Sequence, residues 1–287
     1  MPEMPEMEAL TRWLRGRVVG HCFTRVELAA LNALKTVAMS PRALLGLEIT
    51  EVRRDGKFCS VGTPGAWLTF HLARAGWLRW YESAPAAPAR PGKSPLALRV
   101  ALDDGSGFDL TEMGTQKKLA VYFVADPHDV PMIASLGDDP LAPGFGRDRL
   151  DEILRVAGRA QLKGVLRDQR VFAGIGNAYS DEILHAARLS PFKPADGLSG
   201  DERDRLSSAV REELQGAIDR ADGLAPSQLK DDKRSGMRVH GRKGLPCPVC
   251  GTEVAEVSFA DSALQYCPVC QTGGKLLADR RLSKLLK

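Results

Sequence analysis

The extreme N-terminus reads Met1-Pro2-Glu3-Met4-Pro5-Glu6. A small second residue favours removal of the initiator Met, which would expose Pro2 as a secondary amine. An α-amine titrates at about pH 8, so a sizeable share is neutral and nucleophilic under physiological conditions. Attack on an aldehyde-like carbon would give an iminium, and the adjacent Glu3 could move protons. The same Pro and Glu residues also suit the first turn of a helix. Lys57 ends the cationic run Arg53-Arg54-Asp55-Gly56-Lys57, a turn between two strands; read in isolation, a lysine at a loop tip is more often solvated surface than functional.

Four of the six cysteines form two pairs, Cys247-Pro-Val-Cys250 and Cys267-Pro-Val-Cys270, sixteen residues apart. Each C-x-x-C turn can present two thiolates to one tetrahedral zinc, and a hairpin between the turns brings all four together. A redox dithiol would need only one pair, and exported disulfides would need a signal peptide. A four-cysteine site is coordinatively closed, so this zinc holds a shape and does no chemistry. Cys22 and Cys59 read as core thiols.

A third feature runs from Gln161 to Glu182 and contains Gly174-Ile175-Gly176-Asn177. Such a turn opening a helix points backbone N–H groups outward, which suits a phosphate, with Asn177 adding a side-chain donor. A packing turn between two helices is the plainer alternative; Lys163, Arg167 and Arg170 favour phosphate. Lys230, Lys233, Arg234, Arg238, Arg242 and Lys243 face only Asp231 and Asp232 in the segment before the cysteine pairs. Positive charge flanking a zinc hairpin is a common way to grip nucleic acid.

The elements around these residues predict an α+β fold with two domains, as the 287-residue length also suggests. After a helix over Pro5–Arg15, short β runs follow at 24–28, 49–52, 58–61, 67–72, 76–80, 96–102 and 119–124. Their period-two alternation and the turns Asp55-Gly56 and Asp104-Gly105 predict an antiparallel sandwich, interrupted by a Pro-rich surface loop over Ser83–Gly92. Asp126–Arg147 reads as a linker, and helical patterns follow at 149–156, 161–166, 177–187 and 199–221. The expected divisions are thus a β-sandwich domain with its N-terminal helix (1–125), a linker (126–147), a helical domain (148–238), a zinc finger (239–273) and a basic tail (274–287). On its leucine spacing, Lys275–Lys287 could form a short amphipathic helix or be a frayed terminus. No apolar run reaches the ~18 residues of a membrane span, and the N-terminus has no apolar signal core. A net charge of +4 permits nucleic-acid binding without demanding it.

Taken in order, these residues resemble the formamidopyrimidine-DNA glycosylase/endonuclease VIII family of bifunctional DNA repair enzymes. The resemblance rests on the Met-Pro-Glu-x-Pro-Glu start, the Asp-Gly-Lys57 turn, His71-Leu-x-x-x-Gly76, Asp168-Gln-x-x-x-x-Gly-Ile-Gly-Asn177, His240-Gly-Arg-Lys-Gly244 and the four-cysteine finger ending Cys270-Gln271. It implies a β-sandwich domain, a helix–two-turn–helix domain with a C-terminal zinc finger, and damaged or abasic double-stranded DNA in the cleft between them. By the same resemblance Pro2 is the nucleophile at C1′, Glu3 handles protons, and Lys57 and Asn177 hold phosphates flanking the lesion. The implied reaction is base removal followed by β,δ-elimination through a Schiff base. The implied setting is a monomer with one structural Zn2+, in a bacterial-type cytoplasm at the nucleoid.

Several positions depart from the family pattern. The family's gap-filling Met is Arg74, in His71-Leu-Ala-Arg74, where a guanidinium could stack in the gap. Its Arg-Arg-Phe probe aligns with Lys117-Lys118-Leu119, which keeps phosphate attraction, loses the bidentate fork, and leaves Leu119 as a wedge without aromatic stacking. Ser262 stands near the finger's phosphate-gripping Arg, a task that Arg242, Lys243 or the tail could take over. The Leu224–Val239 segment is shorter than the loop that covers 8-oxoguanine in the purine-specific branch, although the N-terminus is closer to that branch. These departures motivate an alternative: a damaged-DNA recognition protein on the same scaffold with little base excision. An RNA-binding or zinc-ribbon adaptor would leave the N-terminus unexplained.

Overall fold

Helix α1 (Met4–Val18) begins in a capping box, with Glu3 and Glu6 each accepting from the other's backbone N–H. Its buried face carries Met4, Met7, Leu10, Leu14 and Val18, the spacing that lays one stripe of a helix against a sheet. The computed structural model describes residues 1–36, 39–90, 92, 95–259 and 262–278. They divide into two units, one of Met1–Leu136 with Arg220–Asp231, the other of Gly137–Asp219 with the chain from Asp232 onward.

The first unit holds two antiparallel four-stranded sheets. One has the order β1 (Phe23–Leu28), β6 (Leu96–Leu102), β7 (Gly107–Glu112), β5 (Gly76–Tyr81). The other has the order β2 (Glu51–Asp55), β3 (Phe58–Thr63), β4 (Ala66–His71), β8 (Ala120–Val124). Seven of these strands overlap the expected runs, with β2 displaced from 49–52 so that Arg53, Arg54 and Asp55 of the expected turn belong to the strand. The eighth, β7, is not among those runs: Phe108 and Leu110 do alternate with Asp109 and Thr111, but Gly107 and Asp109 are residue types that strands disfavour. Both residues have tertiary reasons. A Cβ on Gly107 would lie 2.1 Å from the Val100 carbonyl oxygen. The buried Asp109 carboxylate accepts two bonds of 2.8 Å from Arg99 on the neighbouring strand.

The expected linker is ordered and shared between the units. Asp126 and Asp129 form a second capping box, and Val130, together with Ile133 of the following α2 (Pro131–Ala134), packs with Phe58 and Tyr122. Residues 220–231 belong with the first unit and not with the helical domain, because Ala221 and Leu229 join the sandwich core and Trp77 Nε1 donates to the Pro226 carbonyl at 2.8 Å.

The second unit contains α3 (Arg147–Ala157), α4 (Leu162–Arg167), α5 (Asn177–Ala186) and most of α6 (Gly200–Ala221). The finger hairpin β9 (Ala255–Ser258) and β10 (Ala263–Tyr266) follows α7 (Leu229–Gly236), a helix whose polar sequence carries no apolar period, and α8 (Pro268–Thr272) ends at Gly273. The expected tail helix starts at Lys275, but residues 275–278 are not helical; Leu277 N–H instead donates to the Tyr266 hydroxyl at 2.8 Å. Residues 279–287 lie outside the described residues.

Candidate active site and zinc centre

In the first unit, the N-terminal end of α1 is held beside strand β2. Arg54 donates to Glu8 of α1 at 2.8 Å and to the Gly56 carbonyl at 3.2 Å, so one guanidinium ties the helix to the turn that carries Lys57. Gly56 has φ +58°, which lets that turn close tightly. Pro2 is buried, and Glu3 is only 2% exposed. Lys57 is 7% exposed, so it is not the solvated loop tip that its sequence context allowed.

His71 stands opposite Phe58, the residue after Lys57, with ring centroids 4.8 Å apart. Its Nδ1 accepts from the Ala73 N–H at 3.2 Å, which leaves the hydrogen of the neutral ring on Nε2. Burial of the ring, reinforced by the Lys57 ammonium, pushes its pKa from 6.5 down to about 4. Between those values the unfolded chain binds more protons than the folded one, so stability rises with pH across this window. Acidification from about pH 7 to about pH 5 is therefore expected to cost the wild type more stability than a His71→Gln variant, read as the shift in urea midpoint.

The turn after His71 presents Arg74, which is exposed. Ala73 adopts φ +51°, a left-handed conformation that costs a non-glycine residue about 1 kcal/mol. Gly76 closes the turn: its N–H donates to the Leu72 carbonyl at 2.9 Å, and a Cβ there would lie 2.1 Å from that oxygen. The glycine of the His71-Leu-x-x-x-Gly76 motif is thus a steric requirement. Next to it, the buried Glu112 carboxylate accepts from the N–H groups of Lys118 at 2.8 Å and Leu119 at 3.1 Å, while Lys117 Nζ donates to the Glu112 carbonyl. Lys117 and Lys118 are exposed on this loop.

Leu119 is not. It is 1% exposed within the sandwich core, and its Cδ1 lies against Gly76, so it packs the fold and is not a wedge available to DNA. Met113 is the exposed apolar side chain of that loop, at 78%. Cys22 also departs from expectation: it is half-buried, and burial, reinforced by the Asp103 carboxylate, raises the pKa of its thiol, whereas Cys59 is fully buried and its pKa is pushed up to about 12.

In the second unit, Gln169 staples the glycine turn. Its amide donates to the Ile175 carbonyl at 2.6 Å, and its side-chain oxygen accepts from Gly174 N–H at 3.0 Å; Gly174 takes φ +97°. Asn177 then opens α5, with its Nδ2 donating 2.8 Å to the Ala263 carbonyl in the finger, directly after Ser262. Lys163 is no phosphate ligand. It is buried in a 2.6 Å ion pair with Asp181 and bonds Ser180 Oγ at 2.8 Å, while the other oxygen of Asp181 lies 2.8 Å from His240 Nδ1. Glu182 accepts from three successive backbone N–H groups, those of Arg238, Val239 and His240. Glu112, Asp181 and Glu182 were invisible as site-building residues because a lone acid in a strand or helix reads as surface.

The four predicted ligands converge. The sulfurs of Cys247, Cys250, Cys267 and Cys270 all lie within 4.8 Å of one another, a span suited to four thiolates about 2.3 Å from one zinc. No carboxylate or histidine nitrogen completes a wider set there among the described residues, and an all-sulfur tetrad fits structural zinc. Just before it, Arg242 is half-buried, and Lys243 is exposed, 3.2 Å from Glu256.

Three family models match successive stretches: the formamidopyrimidine-DNA glycosylase N-terminal domain over residues 1–117, its H2TH domain over 136–227, and the zinc finger found in FPG and IleRS over 244–273. A formamidopyrimidine-DNA glycosylase of Symbiobacterium thermophilum is 34% identical over 98% of this chain and 93% of its own length. An uncharacterized formamidopyrimidine-DNA glycosylase-like protein of Mycobacterium tuberculosis is 54% identical over 55% of this chain and 98% of its own. Lactococcus lactis Fpg (MutM), solved with DNA containing N7-benzyl-Fapy-dG, superimposes with a TM-score of 0.82 at 25% identity, covering 94% of this chain and 100% of that one. No helix among the described residues is long and apolar enough to cross a membrane. On this full-length correspondence, the chain belongs to the formamidopyrimidine-DNA glycosylase family.

Proposed function

We propose that this chain is a DNA repair enzyme, a glycosylase that removes oxidised or ring-opened bases and then cuts the strand as an abasic-site lyase. The observation that carries the reading is the buried Pro2–Glu3 pair at the start of α1, tied through Arg54 to the turn of a buried Lys57. Once Met1 is removed, the Pro2 nitrogen carries a free lone pair. It attacks C1′, the C1′–N bond breaks, and the base departs with its electron pair and a proton. Ring opening then yields an iminium between Pro2 and C1′. Loss of the C2′ proton expels the 3′ phosphate, and a second elimination expels the 5′ phosphate. Glu3 is the group placed to carry protons through these steps. The neutral His71 adds no positive charge beside Lys57.

Binding rests on cations distributed over both units: Lys57, Arg74, Lys117 and Lys118 in one, Arg242 and Lys243 in the other, with Asn177 as a neutral donor. Zinc supplies no chemistry; it fixes the hairpin on which the flanking cations are carried. The setting we infer is a bacterial cytoplasm, on chromosomal DNA at the nucleoid.

Incubation with a duplex bearing one abasic site, quenched with borohydride, is expected to trap a covalent complex and otherwise to give the β,δ-product. Tight binding with neither trapping nor cleavage would favour the recognition-protein reading, for which the burial of Leu119 is the motivating observation. Affinity is also expected to fall steeply with salt. Neutralising four or five phosphates gives a slope of log K against log salt of about −4. A flat titration would remove the phosphate-binding roles given to these cations.

A further inference from the structure

One stripe of α5 meets the finger at successive turns. Asn177 holds the Ala263 carbonyl, Asp181 faces His240, Glu182 gathers the N–H groups of residues 238–240, and His185 ends the stripe at the metal tetrad. These positions are spaced i, i+4, i+5 and i+8, one face of a helix. His185 is 3% exposed, and its Nε2 lies 3.3 Å from Cys247 Sγ. Its other ring nitrogen, Nδ1, is buried without a hydrogen-bond partner.

We infer that His185 is an outer-shell residue of the zinc centre, donating its Nε2 hydrogen to the Cys247 thiolate and fixing the tetrad to α5. The chemistry leaves one arrangement. Four thiolates around a dication carry two excess negative charges, and Cys247 and Cys267 are buried, so water cannot supply all the donors this charge requires. A metal-bound thiolate has no hydrogen to give. The 3.3 Å contact therefore needs the hydrogen on Nε2, and the neutral ring then leaves Nδ1 as a bare lone pair. That matches the orphaned atom: a buried acceptor left unpaired is tolerated better than a buried unpaired N–H. Within the finger itself, Cys270 N–H reaches Cys267 Sγ at 3.4 Å, but Cys247 takes its side-chain donor from α5. This makes His185 a positioning residue, independent of the glycosylase chemistry proposed above.

The test measures zinc transfer from the full-length protein to a chromogenic chelator, for wild type, His185→Phe, His185→Met and His185→Gln. The two donorless variants are expected to release zinc about tenfold faster or more, as outer-shell substitutions at metal sites do. His185→Gln retains an N–H and should stay near the wild-type rate. Cobalt substitution gives a second readout: the sulfur-to-cobalt charge-transfer band should shift in Phe and Met and remain in place in Gln. Should a donorless variant fail to fold, 15N spectra of the zinc-loaded wild type still decide, because His185 must be the Nε2–H tautomer. Wild-type release and an unshifted band in Phe and Met would overturn the inference. So would a Gln variant as leaky as Phe, or an Nδ1–H tautomer in the wild type.

Discussion

Protein whose Pro2 nitrogen stays acylated, by Met1 or by an uncleaved N-terminal tag, will bind abasic DNA but will not form the borohydride-trapped complex. The physical reason lies in the peptide bond. An amide nitrogen delocalises its lone pair into the carbonyl and cannot add to C1′, whereas the freed secondary amine can. The expected loss of strand cleavage is about a thousandfold or more, because removal of a covalent nucleophile leaves only binding and electrostatics to act. Affinity should change by only a few-fold, since the cations assigned to phosphate binding are untouched. The check compares one preparation before and after removal of its N-terminal extension, with mass spectrometry reporting the terminus and trapping reporting the chemistry. Equal trapping by both forms would transfer the nucleophile's role to another amine, with Lys57 the first to examine.

Cys267→Ser, or prolonged chelation, will unfold the finger while the β-sandwich unit persists. The finger's own apolar content is small: Val239, Cys247, Val254 and Cys267 form one cluster and Val257, Leu264 and Tyr266 another. So few buried side chains cannot offset the ordering of a hairpin, and structural zinc supplies about 10–16 kcal/mol in isolated fingers. Cys267 is itself completely buried, so its loss removes a ligand and a core contact together. The sandwich has a separate core, built around Phe23, Phe70, Phe108 and Phe123, that no zinc ligand enters. The variant should contain no zinc, should show protease cuts confined to the finger and its flanks, and should keep the near-ultraviolet signal of the tryptophans at 13, 67, 77 and 80. Retention of one zinc per chain would contradict the ligand set.

What the sequence determined by itself was local chemistry and local periodicity. The cysteine spacing fixed the ligand set, because thiolates at i and i+3 of two turns have few other uses. The N-terminal Pro-Glu pair fixed a possible nucleophile, and period-two alternation located seven strands. The three-dimensional fold decided which of several identical-looking residues are buried. Lys163 reads like any cation beside a glycine turn, yet it is spent inside the protein on Asp181. Lys57 reads like a solvated loop tip, yet it is buried beside a neutral histidine. Leu119 stands where a wedge was expected, but the backbone pinned by Glu112 turns it into the core and leaves Met113 outside. His185 carries no sequence signal at all, since its partner lies 62 residues away. Residue type and spacing report what a side chain can do. Only long-range packing sets its solvation and its partner, and those two quantities separate a structural charge from a functional one.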